Sequence, residues 1–305
     1  MTDVIEAIGL TKSYGTRRGI VDVDFAVHEG EVFGFLGPNG AGKTTTIRTL
    51  LGLLRPTSGR ATVLGLDVWA DAPRLHEQIS FLGSDPGYLG ELTAAEQLDY
   101  VARLRHLPKG AWRPMAERFE LDPSVPIKKL SRGNRQKVGV VQAFMGEPPL
   151  LILDEPTTGL DPLMQREFLS VLSELRSGGR TVFLSSHNLP EVERSCDRVG
   201  IIREGRLTQI STVQSLLASH WRSVNLVLGH APAPGAFDLP NVEVASMTAR
   251  DVHLMVRGDV NPLLRRIADL DVYDVSITTP EIEDVFLRFY DGTEDHADMV
   301  AEVTR

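Results

Sequence analysis

The feature that most constrains this chain is an eight-residue segment, residues 37–44, with the pattern G-x-x-x-x-G-K-[ST] and the spelling GPNGAGKT. An apolar run at residues 31–36 precedes it and predicts a short buried strand, and residues 45–54 predict a helix that ends before Pro56. Glycines let the backbone wrap around a phosphate group, and the N–H groups at the start of a helix attract its charge. In this context the segment is predicted to bind phosphate. A plain glycine turn is the much weaker alternative.

Individual residues of this phosphate-binding loop have expected roles. Lys43 is expected to reach the β- and γ-phosphates of a nucleotide, and the hydroxyl group of Thr44 is expected to bind Mg²⁺. A bound nucleotide would therefore meet both a cationic side chain and a metal ion. The residues that we expect to surround its phosphates are Gly37, Asn39, Gly40, Ala41, Gly42, Lys43, Thr44 and Thr45.

The composition narrows the class of protein and its partners. With 305 residues, the chain is long enough for one large domain and a smaller one. Its net charge of −9 argues against a general grip on nucleic acid, and no apolar run approaches the roughly 20 residues that span a bilayer. Cys196 is the one cysteine, so no internal disulfide can form, and no signal-peptide pattern opens the sequence. We therefore expect a cytoplasmic location.

The order of apolar segments predicts an α/β core with a helical insertion. Residues 150–154 form a continuous apolar run that ends in an acid, which is typical of a central parallel strand. Apolar and polar residues alternate at 4–10 and 20–27, which predicts strands with one exposed face, with a loop at 11–15. Strand signals are scarce at about residues 85–147, where the periodicity is helical. We expect an inserted helical subdomain there.

The character of the sequence changes near residue 220. We expect a nucleotide-binding domain at residues 1–219 and a small α+β domain at 220–290. An acidic tail at 291–305 follows, and much of the excess negative charge lies in this last part of the chain. The elements predicted in the small domain are strands at 224–228, 242–246, 252–256 and 272–278 and helices at 263–270 and 280–289.

Two adjacent acids, Asp154 and Glu155, stand where the apolar run at 150–154 ends. Open α/β sheets place their ligands at the carboxyl ends of parallel strands, so both side chains are expected at the phosphate site. Asp154 would hold Mg²⁺ through water, and Glu155 would orient and deprotonate an attacking water molecule. The alternative is a pair of helix-capping acids. The apolar strand, together with the phosphate-binding loop, makes the catalytic interpretation the stronger one.

A third motif lies 23 residues before Asp154 and makes the family recognisable. Residues 130–137, with the spelling LSRGNRQK, begin a predicted helix with Ser131 as its N-cap, and alone they indicate only a capped helix. In order with the other two motifs, they make the chain resemble the nucleotide-binding subunit of an ABC transporter. The resemblance extends from about residue 4 to residue 210. It implies the P-loop NTPase fold of an ABC cassette, which is a mixed sheet core with antiparallel N-terminal strands and an inserted helical subdomain.

Residues 130–134 resemble the LSGGQ signature of the family, with Ser131 and Gly133 retained. Arg132 and Asn134 stand where the family often has Gly and Gln. In this family the signature of one subunit contacts the γ-phosphate bound on its partner. The resemblance thus implies a head-to-tail dimer with a second ATP-binding subunit, expected to be a copy of this chain, around two ATP. Ser131, Gly133 and Asn134 would then contact ATP across the interface.

Three further positions match motifs of the family. His187 follows a predicted strand and matches the switch histidine, which would bind the γ-phosphate and act in catalysis beside Glu155 and Lys43. Asp161 ends a segment that is similar to the D-loop, which crosses the dimer interface, and it also suits a plain helix N-cap. Tyr14 matches the aromatic residue that stacks on adenine, and packing on the core is a serious alternative for it.

The match is weakest after the strand predicted at residues 79–82. The family usually has Gln there, in contact with Mg²⁺ and the attacking water, whereas Ser84 occupies the position, beside Asp85. A serine hydroxyl can bind Mg²⁺ but reaches less far, so Ser84 is a candidate metal ligand, with a plain loop residue as an equal alternative. This departure bears on coupling and leaves ATP binding unaffected.

The resemblance implies an ATPase that uses ATP and Mg²⁺ and whose hydrolysis is coupled to transport. Because the sequence predicts no membrane span, the integral membrane permease must be a separate chain, for which about residues 84–107 are the usual docking region. The subunit is then expected at the cytoplasmic face of the cell membrane. No nucleic-acid partner is expected.

The direction of transport is indicated by resemblance alone. The signature as spelled, the segment at 280–286 and the small C-terminal domain look like the branch that exports drugs and antibiotics, so a small hydrophobic compound is the expected cargo. An importer ATPase of the same fold is an alternative. A soluble ABC ATPase that acts on ribosomes or DNA is another, and the single cassette and the acidic charge weigh against it.

Overall fold

The computed structural model describes residues 2–15, 17–84, 87–217 and 221–278. The helix predicted at 280–289 and the acidic tail lie outside the described residues. The chain divides into two compact units, Met1–Val213 and Gln214–Arg305. The division falls a few residues before the predicted boundary at 219.

The first unit carries two sheets and an inserted group of helices. Its strands are β1 (Asp3–Tyr14), β2 (Arg17–His28), β3 (Val32–Leu36), β4 (Ser58–Val63), β5 (Leu66–Asp67), β6 (Ile79–Leu82), β7 (Leu150–Asp154), β8 (Thr181–Ser186), β9 (Arg198–Arg203) and β10 (Arg206–Thr212). Its helices are α1 (Lys43–Leu50), α2 (Ala72–His76), α3 (Ala94–Leu104), α4 (Arg113–Arg118), α5 (Arg132–Phe144), α6 (Pro162–Ser177) and α7 (Leu189–Ser195), and α8 (Val213–Leu217) lies at the boundary between the units.

Parallel pairing brings the predicted motifs to one edge of a sheet. The six-stranded sheet has the order β10-β9-β3-β8-β7-β6, and all its pairs except β10 with β9 are parallel. As predicted, β7 is buried along its whole length. Leu36 lies opposite Ser186, and Asp154 lies opposite Ser185. The carboxyl ends of β3, β7 and β8 are therefore adjacent, and the loops that follow them share one edge.

The second sheet of this unit is antiparallel, with the order β2-β1-β4-β5. The loop predicted at residues 11–15 is wrong, because β1 continues to Tyr14 and pairs there with Arg17. Residues 11–13 are polar, so they lack the apolar alternation that marks a strand. They stay in the sheet because Lys12 pairs with Ile20 on one side and Thr11 with Ser58 on the other.

A group of phenylalanines joins the two sheets. Phe25 of β2 packs against Phe33 and Phe35 of β3 and against Phe183 of β8, with ring centroids 5.6 to 5.8 Å apart. Phe183 also lies 5.9 Å from Phe33 and 5.4 Å from Phe35. All four side chains are buried. Such ring contacts add to the burial of large apolar surfaces. They hold β3 and β8, the strands that precede the phosphate-binding loop and His187, in one rigid core.

The predicted helical insertion lies between β6 and β7 and contains α3, α4 and α5. Thr93 and Glu96 form a reciprocal capping box at the start of α3, with bonds of 3.2 and 2.8 Å. The helix predicted at 45–54 is shorter than expected, since α1 ends at Leu50. Gly52 has a φ of +66°, and a Cβ atom there would lie 2.1 Å from the carbonyl oxygen of Val68. The chain therefore turns away from the helix at a position that suits only glycine.

The second unit has an α+β arrangement in its described part. Its elements are β11 (Trp221–Leu228), β12 (Val242–Met247), β13 (Asp251–Arg257), α9 (Asn261–Ile267) and β14 (Val272–Thr278). The strands form an antiparallel sheet with the order β12-β13-β11-β14, and the predicted hairpin is the pair β12 and β13. The sheet and α9 enclose a core that includes Val224, Leu226, Leu254, Val256, Leu263 and Ile267.

Candidate active site

Three glycines shape the predicted phosphate-binding loop between β3 and α1. A Cβ atom at Gly37 would lie 2.4 Å from the carbonyl oxygen of Ile202, so the strand end packs against β9 without space for a side chain. Gly40 and Gly42 have φ values of +81° and +116°, which side chains disfavour. The loop therefore depends on glycine at each of these positions.

The start of α1 presents its N–H groups toward the loop. Gly42 is the N-cap residue and has no side chain to occupy these donors, so an anion can accept them. Asn39 and Gly40 are exposed at the tip of the loop, and Ala41 is buried beneath it, with its N–H bonded to the carbonyl oxygen of Pro38 at 3.1 Å. Thr45 is half-buried in the first turn of α1.

Lys43 bends back over this loop and is almost fully buried. Its Nζ donates hydrogen bonds to the carbonyl oxygens of Gly37 at 2.5 Å and Pro38 at 3.2 Å. The same Nζ forms an ion pair with Oε1 of Glu155 at 3.1 Å. The contact is electrostatic in character, because Oε1 accepts no hydrogen bond of good geometry among the described residues. A positive charge is thus fixed inside the loop where phosphates would lie.

Asp154 ends β7 with a buried carboxylate that is already bound by two hydroxyl groups. Thr44 Oγ1 donates to its Oδ2 at 2.9 Å, and Ser185 Oγ donates to its Oδ1 at 2.6 Å. Thr44 and Asp154 together offer the hard oxygen donors that Mg²⁺ prefers, and they lie beside the phosphate-binding loop. The donor set therefore fits the metal predicted from the sequence.

Glu155 and His187 meet at the carboxyl end of the sheet. His187 Nδ1 and Glu155 Oε2 are 2.5 Å apart, and the histidine ring is half exposed. The backbone N–H of Glu155 donates to Ser185 Oγ at 3.1 Å. Glu155 also has a φ of +53°, a left-handed conformation that is strained for a residue other than glycine. The structure thus holds this carboxylate between Lys43 and His187.

The signature residues lie on the surface at the N-terminus of α5. Ser131 is the N-cap, and its Oγ accepts a hydrogen bond from the N–H of Asn134 at 3.2 Å. The side chains of Ser131 and Asn134 are exposed, so they are accessible to a second molecule. A Cβ atom at Gly133 would lie 2.7 Å from the carbonyl oxygen of Gly159, so this glycine allows α5 to contact the loop before α6.

Asp161 caps α6 from that same loop. Its Oδ1 accepts the N–H groups of Leu163 at 3.0 Å and Met164 at 3.1 Å. The hydrogen bond from Met164 lowers the pKa of Asp161, and the charge of Lys137 acts in the same direction. The side chain is exposed, so its capping role leaves it accessible to a second molecule.

Tyr14 and Ser84 both have exposed side chains. Tyr14 is 43% exposed at the end of β1, with Lys12 Nζ 5.6 Å from its ring centroid. Its exposure suits a stacking surface better than the alternative of packing on the core. Ser84 is exposed in a bend two residues after β6, at the same sheet edge as Asp154. The described hydrogen bonds of Asp154 go to Thr44 and Ser185, so the structure does not bring Ser84 into this network.

Two residues of the site were missed by sequence reasoning. Ser185 Oγ donates to the carboxylate of Asp154 and accepts from the backbone N–H of Glu155. In the sequence, only its position at the end of an apolar run pointed to this role. Gln136 of α5 donates through Nε2 to the carbonyl oxygen of Pro156 at 2.7 Å, which ties the signature helix to the loop after Glu155. This contact joins segments 20 residues apart and had no local signal.

The chain is similar to known proteins along most of its length. The model of the ABC transporter family matches residues 20–158. The bacitracin transport ATP-binding protein BcrA of Bacillus licheniformis is 33% identical over 309 residues, which cover 96% of this chain and 99% of that protein. The daunorubicin resistance ATP-binding protein DrrA3 of Streptomyces coeruleorubidus is 34% identical over 298 residues, which cover 92% of this chain and 93% of the relative.

Solved structures show the same fold. A structure of the ATP-binding subunit of an ABC transporter superposes with a TM-score of 0.65 at 34% identity, and the match covers 70% of this chain and 92% of that one. A bacterial ABC transporter cassette solved as a dimer has a TM-score of 0.64 at 22% identity, which supports the fold alone. Within the described ranges, none of the helices combines the length and apolar character needed to cross a bilayer. The chain belongs to the ABC transporter family, as one of its ATP-binding subunits and an ATPase.

Proposed function

We propose that this chain drives the export of a small hydrophobic compound through a separate membrane subunit. The observation that carries the proposal is the joining of Glu155 to Lys43 and His187 beside the Thr44–Asp154 pair, in a chain related along most of its length to a bacitracin transport protein. The names of two relatives, one a daunorubicin resistance protein and one a probable multidrug transporter of Escherichia coli, support export of a drug-like cargo.

The hydrolytic step follows from these contacts. The phosphates of ATP accept hydrogen bonds from the N–H groups of the loop and of the α1 N-terminus. Lys43 then gives up part of its contact with Glu155 and binds the β- and γ-phosphates. Glu155 takes a proton from water as the oxygen of that water bonds to the γ-phosphorus and the bond to the β–γ bridging oxygen breaks, which releases ADP. His187 donates a hydrogen bond to the γ-phosphate, whose charge it helps to hold.

The metal proposed for this site is Mg²⁺, which the side chains of Thr44 and Asp154 would hold. When bound, it supplies positive charge to the β- and γ-phosphate oxygens. Ser185 keeps the Asp154 carboxylate oriented through its 2.6 Å hydrogen bond. Ser84 is kept as a further proposed ligand at the same sheet edge. Tyr14 is proposed to stack on the adenine ring.

Two copies are proposed to close head to tail around two ATP. The exposed N-terminus of α5 offers Ser131, Gly133 and Asn134 to the γ-phosphate on the partner subunit, and the start of a helix suits an anion. Arg132 is exposed in the same turn and adds positive charge. Asp161 would lie at the interface while it caps α6. In this arrangement each active site draws residues from both copies.

The membrane subunit is proposed to dock in a cleft between the sheet core and the helical insertion. The cleft is lined by five apolar side chains and by the polar side chains of His76, Ser80, Gln142 and Arg105. Arg105 Nη1 donates to Ser80 Oγ at 3.1 Å and to the carbonyl oxygens of Gln142 and Met145 at 3.3 and 3.2 Å. These partners are all neutral, and burial lowers the pKa of Arg105. An apolar segment that carries an acidic side chain would complement this cleft. Such docking places the subunit at the cytoplasmic face of the membrane.

The test is purification of the tagged chain from detergent-solubilised membranes of its own host, with mass spectrometry of the proteins that accompany it. A polytopic membrane protein at equal stoichiometry is expected, and Arg105→Glu should abolish its recovery while Arg60→Glu, an exposed charge reversal on β4, should not. Recovery of ribosomal proteins or DNA-repair factors without a membrane protein would overturn the proposal. ATP-dependent uptake of daunorubicin into inside-out vesicles supports export, and ATP-dependent uptake in the opposite orientation means import.

A further inference from the structure

A buried carboxyl group lies behind His187 and has no part in the reaction so far. Glu191, in the first turn of α7, is 6% exposed. Burial raises the pKa of Glu191 to about 7, against the opposing effect of hydrogen bonds from Ser186 and Thr157. Its Oε1 is buried without a hydrogen-bond partner of ordinary geometry among the described residues. Burial of an acid is costly, so a compensating role is expected.

Glu191 is hydrogen-bonded to Ser186, the last residue of β8. Its Oγ donates to Glu191 Oε2 at 2.5 Å and accepts the backbone N–H of Asn188 at 2.9 Å. These bonds close a tight loop with His187 at its apex. The carbonyl oxygen of Asn188 lies 3.4 Å from the same Oγ, but a hydroxyl group has one proton and the 2.5 Å bond to Glu191 is much the shorter. Donation to Glu191 leaves a lone pair of Oγ for the N–H of Asn188. The carboxyl group therefore sets the direction of the Ser186 hydroxyl and, through it, the course of the backbone at His187.

A second neighbour of Glu191 lies on the loop that follows the catalytic acid. Thr157, two residues after Glu155, is buried, and its side chain lowers the pKa of Glu191 against the effect of burial. Glu191 thus bonds to one of the two segments whose side chains meet at the 2.5 Å pair of His187 and Glu155, and it lies near the other. A displacement of either segment would separate that pair.

We propose that Glu191 is a positioning residue for ATP hydrolysis, and that its carboxyl group holds the His187 loop in contact with Glu155 by way of Ser186. The inference rests on the roles proposed above for Glu155 and His187. Glu191 itself is buried beneath the loop and acts through Ser186. Catalytic geometry is sensitive to displacements of about 1 Å, so loss of this support should lower turnover strongly.

The test uses the full chain together with the membrane subunit with which it co-purifies. In Glu191→Ala, we expect kcat to fall roughly ten- to a hundredfold with KM for ATP within about twofold, because ground-state binding of the phosphates is left intact. Ser186→Ala should give a similar loss, and the double variant should be no worse than the stronger single variant, because both act through one contact. Glu191→Gln keeps an oxygen that accepts from Ser186 and should recover most of the activity.

Glu193→Ala is the matched control, since Glu193 is a partly exposed acid on the same helix and its loss should leave kcat unchanged. Normal kcat in folded Glu191→Ala overturns the inference. It is also overturned if kcat and ATP affinity fall equally in both Glu191 variants, in proportion to a fall in melting temperature. If Glu191→Ala does not fold, Ser186→Ala and Glu191→Gln decide, and normal kcat in Ser186→Ala is contradictory. Glu155→Gln and His187→Ala, measured in parallel, identify failure of the underlying roles, because normal hydrolysis in both removes those roles instead.

Discussion

The two halves of the proposed active site differ in whether their polar side chains find their partners within the same chain. The phosphate half consists of Lys43, Thr44, Asp154, Glu155 and His187, and the signature half consists of Ser131, Gly133, Asn134 and Asp161. In the phosphate half, the largely buried charged groups of Lys43 and the two carboxylates contact each other, a hydroxyl group or the half-exposed ring of His187 at 2.5 to 3.1 Å. In the signature half, the polar side chains are exposed and bond mainly to their own backbone. A buried charge needs its partner inside the fold, whereas an exposed group is free to find one on another molecule.

Two acids show the same contrast in their pKa values. Glu191, buried behind the phosphate half, has its pKa raised to about 7 by desolvation. Asp161, exposed in the signature half, has its pKa lowered by backbone N–H groups of α6. Ionised Glu191 therefore lowers the free energy of unfolding at the phosphate half, whereas ionised Asp161 raises it at the signature half. The predictions below examine this difference, from the largest expected effect to the smallest.

The largest effect is expected at the general base. Glu155→Gln keeps the shape of the side chain and removes its ability to take a proton, so kcat should fall by about 10²- to 10⁴-fold while ATP still binds. Steady-state ATPase assays and nucleotide titration measure the two quantities. Glu167→Gln, on α6, is the matched control for loss of a carboxylate outside the site. Undiminished hydrolysis in Glu155→Gln would remove Glu155 from the mechanism.

The difference between the halves can be tested by mixing two inactive variants. Lys43→Ala damages only the phosphate half, and Ser131→Arg damages only the signature half. In a head-to-tail dimer, a mixed pair has one doubly damaged site and one intact site, so mixing should restore up to about a quarter of wild-type turnover. The ATPase rate of the mixture is compared with that of each variant alone. No recovery, with dimers shown to form, would mean that both halves of a site come from one chain.

The buried acid predicts a pH dependence of stability. The unfolded chain ionises Glu191 near the ordinary value of 4.5, whereas the folded chain retains the proton until about pH 7. The folded state binds more protons between these values, so the free energy of unfolding falls as pH rises through this window and stays lower above it. Glu191→Gln removes this term and should be more stable than wild type by up to about 3 kcal/mol at pH 8, with a smaller difference at pH 5.

Denaturant unfolding of both proteins at the two pH values measures this difference. Glu193→Gln should show the same difference from wild type at pH 5 and pH 8, since its carboxylate is partly exposed. An equal gain for Glu191→Gln at both pH values would show that Glu191 is ionised in the folded protein throughout.

The sequence predicted the phosphate half more fully than its supports. Motif spacing identified Lys43, Thr44, Asp154 and Glu155 because each lies at a strand end or at a fixed offset after one, and the parallel register brought them together as expected. Ser185 and Glu191 carried no such signal, since their roles depend on which strand lies beside β7 and on how α7 packs. The polar segment at residues 11–13 was wrongly predicted as a loop for the same reason, because neighbouring strands hold it in the sheet.

The smallest effect is expected at Asp161, where stability and interface contact can be separated. Asn is as good an N-cap as Asp, so Asp161→Asn should leave the melting temperature nearly unchanged, while Asp161→Ala should lower it by about 2–4 °C through loss of the cap. Both variants remove the charge that the signature half would present to a second copy. If Asp161→Asn melts normally but forms the ATP-bound dimer less readily in size-exclusion experiments, the side chain acts at the interface. If only Asp161→Ala differs from wild type, and only in melting temperature, Asp161 is a cap and the signature half is smaller than proposed.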